Sequence, residues 1–134
     1  MSIEKICEKR WKIYFYVKDG NCPINEYIEN KFNEKAQNHI YACLNLLAER
    51  GRTALNIDMF HSSADGDDIK FNGQVYKMYG LHKGKERLYA ILHEATKTII
   101  FTHGAIKTGN KTAKEDICKF KEIVQNLIDE GVLQ

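Results

Sequence analysis

Residues 75–103 read VYKMYGLHKGKERLYAILHEATKTIIFTH, and three runs rich in aliphatic and aromatic residues are separated there by two short polar breaks. Val75 to His82 reads as a strand, and His82 to Lys85, around Gly84, as a turn. Arg87 to His93 is a second strand with Leu88, Ala90 and Leu92 on one face. Ala95 to Lys97 turns the chain again, and Thr98 to His103 is the last strand. Breaks this short join antiparallel neighbours, so the stretch is predicted to be a meander. Just upstream, Asn72-Gly73 is a hairpin dipeptide that sets Ile69–Phe71 against Val75–His82. Strict alternation puts Lys77 on one face with Tyr79, and His103 on one face with Ile99 and Phe101.

Toward the N-terminus, Trp11 to Lys18 alternates apolar and polar residues with period two, which predicts a strand ended by Asp19-Gly20-Asn21. Pro23 suits the first turn of a helix whose stripe is Ile24, Tyr27 and Ile28. Asn33 is a candidate N-cap for a second helix, along which Ala36, Ile40, Cys43, Leu44 and Leu47 recur at three and four, with Gly51 placed to end it. Toward the C-terminus, Thr112-Ala113-Lys114-Glu115 reads as a capping box. It opens a helix with Ile117, Phe120, Val124, Leu127 and Ile128 on one side. Residues 62–68 read as an exposed acidic loop. The expected fold is one α+β domain over residues 1–134: an N-terminal strand and α-hairpin packed on an antiparallel sheet, with a C-terminal helix.

Hydrophobic residues make up 43% of the 134, enough for a packed core and against global disorder. No apolar run approaches the roughly 18 residues of a membrane span, and Met1 to Arg10 lacks a hydrophobic signal region, so no membrane and a cytoplasmic location are expected. The spacings of Cys7, Cys22, Cys43 and Cys118 fit no zinc module, and free thiols are expected, with Cys43 and Cys118 buried on apolar helix faces. No metal site and no cofactor is expected. Net charge is +2, but it is unevenly spread. Residues 69–114 hold nine Lys/Arg against two Asp/Glu, whereas residues 1–68 hold nine against eleven. That basic third quarter is either a polyanion-facing surface or a solvated, lysine-rich sheet edge.

Four segments also carry a likeness. Val75-Tyr76-Lys77-Met78-Tyr79, Arg87-Leu88-Tyr89-Ala90-Ile91, the run His103-Gly104-Ala105-Ile106-Lys107 continuing to Lys111-Thr112-Ala113, and Cys22-Pro23-Ile24-Asn25-Glu26-Tyr27-Ile28 resemble the motifs of the HigB-like branch of the RelE toxins. The likeness runs from about Trp11 to about Gly131. Tyr79 stands where that family has an arginine, Ala105 where it has phenylalanine, Thr108 where it has a second lysine, and Ala113 where it has proline. The resemblance implies a RelE-like fold and a toxin that cuts messenger RNA on the ribosome, inhibits translation and is neutralised by a cognate antitoxin protein. The alternative it leaves open is a RelE-fold module that binds RNA, ribosome or protein with weak or no nuclease activity. Restoring arginine at position 79 is expected to raise toxicity under the first reading.

Such cleavage needs help for a 2′-hydroxyl attacking the next phosphate, and cations to hold the charge that develops there. Arg87 is the first candidate, because a planar guanidinium grips two phosphate oxygens and stays charged. Lys107 and Lys111 precede the last helix, where its N-terminus adds positive potential; both are assigned to phosphate, and Lys107 is also a candidate for moving a proton. Lys77 and Tyr79 complete the set from the first strand, with Tyr79 suited to stacking on a base. His103 is a candidate general base, against the plainer reading of a strand-end histidine bonded to its surroundings. Lys83 and Lys85, flanking Gly84, would steer RNA or ribosome. Without the family likeness, Arg87 also reads as the partner of a carboxylate such as Glu94.

Overall fold

A computed structural model describes residues 2–55, 59–62, 69–71, 73–107 and 113–133. Strand β1 (Ile3–Glu8) pairs antiparallel with β2 (Lys12–Tyr16). Helices α1 (Pro23–Lys31) and α2 (Glu34–Arg50) follow, then β3 (Phe60–Ser62), β4 (Ile69–Phe71), β5 (Gln74–Lys83), β6 (Glu86–His93), β7 (Thr98–Ile106) and α3 (Lys114–Asp129). The sheet runs β1-β2-β7-β6-β5-β3, with β4 paired to the start of β5. The fold is α+β.

The hairpins form where the local signals put them. Ile69 lies opposite Tyr76 around Gly73, and Lys83 opposite Glu86 around Gly84-Lys85. The sheet, however, is mixed rather than antiparallel: Lys12 to Phe15 of β2 run parallel to Thr98 to Phe101 of β7. A parallel pair needs a long crossover, and α1, α2 and the strands after them supply it. Turn chemistry reports only on sequence neighbours and does not see this pairing. β1 was not expected, because its exposed edge position leaves no alternation to read; its burial alternates neither way.

Helices cover both faces. Ile24 and Ile28 of α1 and Ile40, Leu44 and Leu47 of α2 pack on one face, against Ile13, Phe15, Leu88, Leu92, Ile99 and Phe101. Phe120, Ile123, Val124 and Leu127 of α3 pack on the other, against Tyr16, Tyr76, Met78, Tyr89, Ile91 and Ile100. Pro23 occupies the start of α1, and only Phe32 and Asn33 separate α1 from α2. The Asn33 side chain accepts from the Ala36 N–H at 2.8 Å, so Asn33→Ala is expected to cost about 1 kcal/mol, read as a lower urea midpoint at unchanged slope.

α3 begins one residue later than its expected cap. Ala113 is the N-cap and makes no side-chain cap hydrogen bond, while Thr112 lies outside the described residues. All four cysteines are free. Cys43 is buried as expected, but Cys118 is exposed, because it sits two positions from Phe120 and so on the outer side of the stripe Phe120–Val124–Leu127. The acidic loop expected over residues 62–68 lies, beyond Ser62, outside the described residues. Among the described residues no helix is long and apolar enough to cross a membrane.

Candidate functional site

β6 and β7 pair from Glu86 opposite Ile106 to His93 opposite Thr98, but the ladder slips once. Tyr89 faces His103 while the next residue, Ala90, faces Phe101, so Thr102 is an extra residue in β7. A one-residue slip sends every later side chain to the other face. His103 therefore leaves the face of Ile99 and Phe101, where alternation had placed it, and joins Tyr89 on the α3 side; their rings are 5.2 Å apart. The Thr102 hydroxyl is buried and lies 3.3 Å from the Tyr89 carbonyl and 3.0 Å from His103 Nδ1.

His103 is 2% exposed and reaches Asp116, in the first turn of α3, through Nε2 at 3.1 Å. Two influences oppose each other on this ring. Burial, with the Lys119 charge, disfavours the imidazolium; the Asp116 carboxylate favours it. Burial prevails and brings the pKa down to about 4, so the ring is neutral at pH 7, with Nε2–H donating to Asp116. The unfolded chain then binds the extra proton first as pH falls from 6.5, and stability rises with pH through that window. The urea midpoint is expected to fall steadily from pH 7 to pH 5, and His103→Gln to flatten that profile. An unchanged profile in the variant would mean that other groups set the pH dependence.

Arg87 is half-buried, opposite Ala105 of β7 and His82 of β5. Its Nη1 donates to the carbonyls of Gly84 at 2.8 Å and Glu86 at 3.0 Å, which folds the guanidinium over the hairpin turn. Its Nε is buried and has no hydrogen-bond partner among the described residues. Glu94 is not its partner; that carboxylate takes Arg52 Nε at 2.6 Å. Lys107 follows β7, half-buried, and its backbone N–H donates to the Lys85 carbonyl at 2.9 Å. Lys85 is exposed in the turn. Lys83 lies 3.0 Å from His39 of α2 through its ammonium. Lys85, Arg87 and Lys107 are thus gathered at one end of the sheet, and Lys111 lies outside the described residues.

Lys77 and Tyr79 do not join that group. Lys77 lies opposite Leu92, five residues from Arg87 along β6, or roughly 16 Å. Tyr79 is 8% exposed in the core under α1 and α2, its ring 5.0 Å from that of Phe60. It is not presented for stacking on a base.

Two residues near the cluster were not anticipated. Tyr27 of α1, read as a helix-stripe residue, donates its hydroxyl to Glu86 at 2.5 Å. Burial foremost, then that hydrogen bond and carboxylate, push the phenol well above its ordinary pKa, so it stays protonated. The ring lies on Gly104: a Cβ there would meet Tyr27 Cγ and Cδ2, with Cδ1 at 2.8 Å. A glycine inside a strand marks such close approach, and that was the one available signal. Tyr27 thereby fixes α1 to the hairpin that carries Arg87. Among the described residues no group of three or more His, Cys, Asp or Glu side chains is placed to hold a metal ion.

Compared with models of known protein families, the chain matches none, and no curated protein is significantly similar to it.

Proposed function

We propose that this chain is a toxin of the RelE/HigB type, an endoribonuclease that cuts messenger RNA in the ribosomal A site and is held in check by a cognate antitoxin protein. The observation that carries the reading is the grouping of Arg87, Lys85 and Lys107 around one hairpin turn and the end of β7, with the orphaned Nε of Arg87. A buried donor without a partner costs about 1–3 kcal/mol, which natural structures tolerate chiefly where function requires it. In the reaction the 2′-oxygen loses its proton and bonds to phosphorus. The 5′-oxygen leaves with a proton, giving a cyclic phosphate and a 5′-hydroxyl. Arg87 holds the charge that develops on the phosphate oxygens, and Lys85 and Lys107 bind flanking phosphates. His103, with both nitrogens engaged, is a positioning residue that ties β7 to the start of α3.

The test is bacterial cell-free translation with the purified chain and primer extension of the message. New, ribosome-dependent ends within the reading frame are expected. Intact message at high concentrations of folded protein would sink the nuclease.

A second reading, a binding module without nuclease activity, is favoured by Tyr79. That side chain is in the core, so the strand offers no cation where the resembling family has its arginine. Tyr79 lies beside Arg52, so restoring arginine there would set two guanidinium groups together at a position only 8% exposed, and Tyr79→Arg is expected to destabilise the protein rather than raise toxicity. Under this reading the chain retains RNA or ribosome binding while leaving message intact.

A further inference from the structure

The sheet register lines up three side chains far from the Arg87 cluster. Lys12 pairs with Thr98 across β2 and β7, and Thr98 with His93 across β7 and β6. His93 lies six residues from Arg87 along β6, roughly 20 Å. The row faces the α3 side, since Lys12 is adjacent to Ile13, which faces α1 and α2, and the His93 ring packs 4.7 Å from Tyr76. Over the row lies a cavity of about 310 Å³, roofed by the segment after α3 and by β1, with Ile3, Ile100 and Leu133 among its walls. His93 is 5% exposed, and its Nδ1 is buried without a hydrogen-bond partner among the described residues. Thr98 is already engaged, donating to the Thr96 carbonyl and accepting from the Thr96 hydroxyl. Among the described residues Lys12 is the one charged side chain lining the cavity, and no carboxylate side chain lines it.

We propose that this cavity binds a small carboxylate with a compact apolar body. Lys12 supplies the opposite charge. His93 donates through Nδ1–H to one carboxylate oxygen, which satisfies the orphaned atom. Ile3, Ile100 and Leu133 cover the apolar part. The volume is at the lower end for small-molecule sites, which favours a compact ligand.

The site is tested on the full chain by NMR titration of backbone amides with sodium benzoate and with benzamide, its uncharged isostere. Saturable shifts at Thr98, Ile100 and Leu133 are expected, with benzoate bound about tenfold or more tightly than benzamide. Two variants keep the result interpretable. Lys12→Gln removes the charge at a half-exposed position. His93→Phe keeps the ring against Tyr76 and removes the orphaned nitrogen, so the fold is retained or stabilised. Each is expected to weaken benzoate severalfold with spectral dispersion intact. Equal affinity for benzamide, or no saturable shift up to roughly 10 mM benzoate, overturns the proposal and leaves water as the occupant.

Discussion

Arg87→Ala is expected to lower ribosome-dependent cleavage by about 10²–10³-fold while moving the urea midpoint little. The rate loss is that of removing one prearranged donor to a developing oxyanion, roughly 3–4 kcal/mol of transition-state stabilisation. The stability effect is small because the guanidinium bonds only two carbonyls beside an exposed turn, which water can serve instead. Removing the side chain also removes the buried, unpartnered Nε, which offsets the lost bonds. Arg87→Lys separates charge from shape. Lysine keeps one positive charge but loses the fork, so it should recover only a minor part of the rate. Measurement is by initial rates of appearance of the new message ends, with chemical denaturation of each variant in parallel. An alanine variant that cuts at the wild-type rate would remove Arg87 from the site and with it the main support for the nuclease reading.

The Arg87 cluster was legible from the sequence for a simple reason. Lys83 to Arg87 is a single hairpin whose turn is written in Gly84, and the next strand returns Lys107 beside it. Short-range chemistry determined that much. It also determined α2, whose cap Asn33 and terminator Gly51 stand where the apolar repeat begins and stops. What escaped was set by pairings between distant segments. The Tyr27–Glu86 bond spans 59 positions, and the parallel β2–β7 pair more. The face of His103 was lost to one inserted residue, Thr102, whose hydroxyl bonding gives no sign in the sequence. Charge counting was a partial guide. Residues 69–114 are basic, but alternation in β5 sends Lys77 and Tyr79 to the α1/α2 side, while Arg87 follows Tyr89 to the other.

Gly51→Ala is expected to be severely destabilising for a single added methyl, costing about 2–6 kcal/mol. Two independent effects add. Gly51 ends α2 at φ 78° and ψ −158°, a region essentially reserved for glycine, where another residue is strained by roughly 1–3 kcal/mol. Its Cβ would also enter the indole of Trp11, against Nε1 and with Cε2 at 2.6 Å. That ring cannot easily withdraw, because the Trp11 backbone N–H is bonded to the Ala48 carbonyl in the last turn of the same helix, at 2.8 Å. Overpacking of this kind typically adds about 1–3 kcal/mol. The sum is a large part of the 5–15 kcal/mol that holds an ordinary domain together. Chemical denaturation followed by Trp11 fluorescence and by far-ultraviolet dichroism measures it. In a Trp11→Ala background the steric part disappears and only the backbone strain remains, so the same glycine replacement should cost roughly 1–3 kcal/mol there. If the cost is the same in both backgrounds, the indole yields and the backbone carries the whole effect. If it is below about 1 kcal/mol in both, α2 does not end on Gly51 in this conformation.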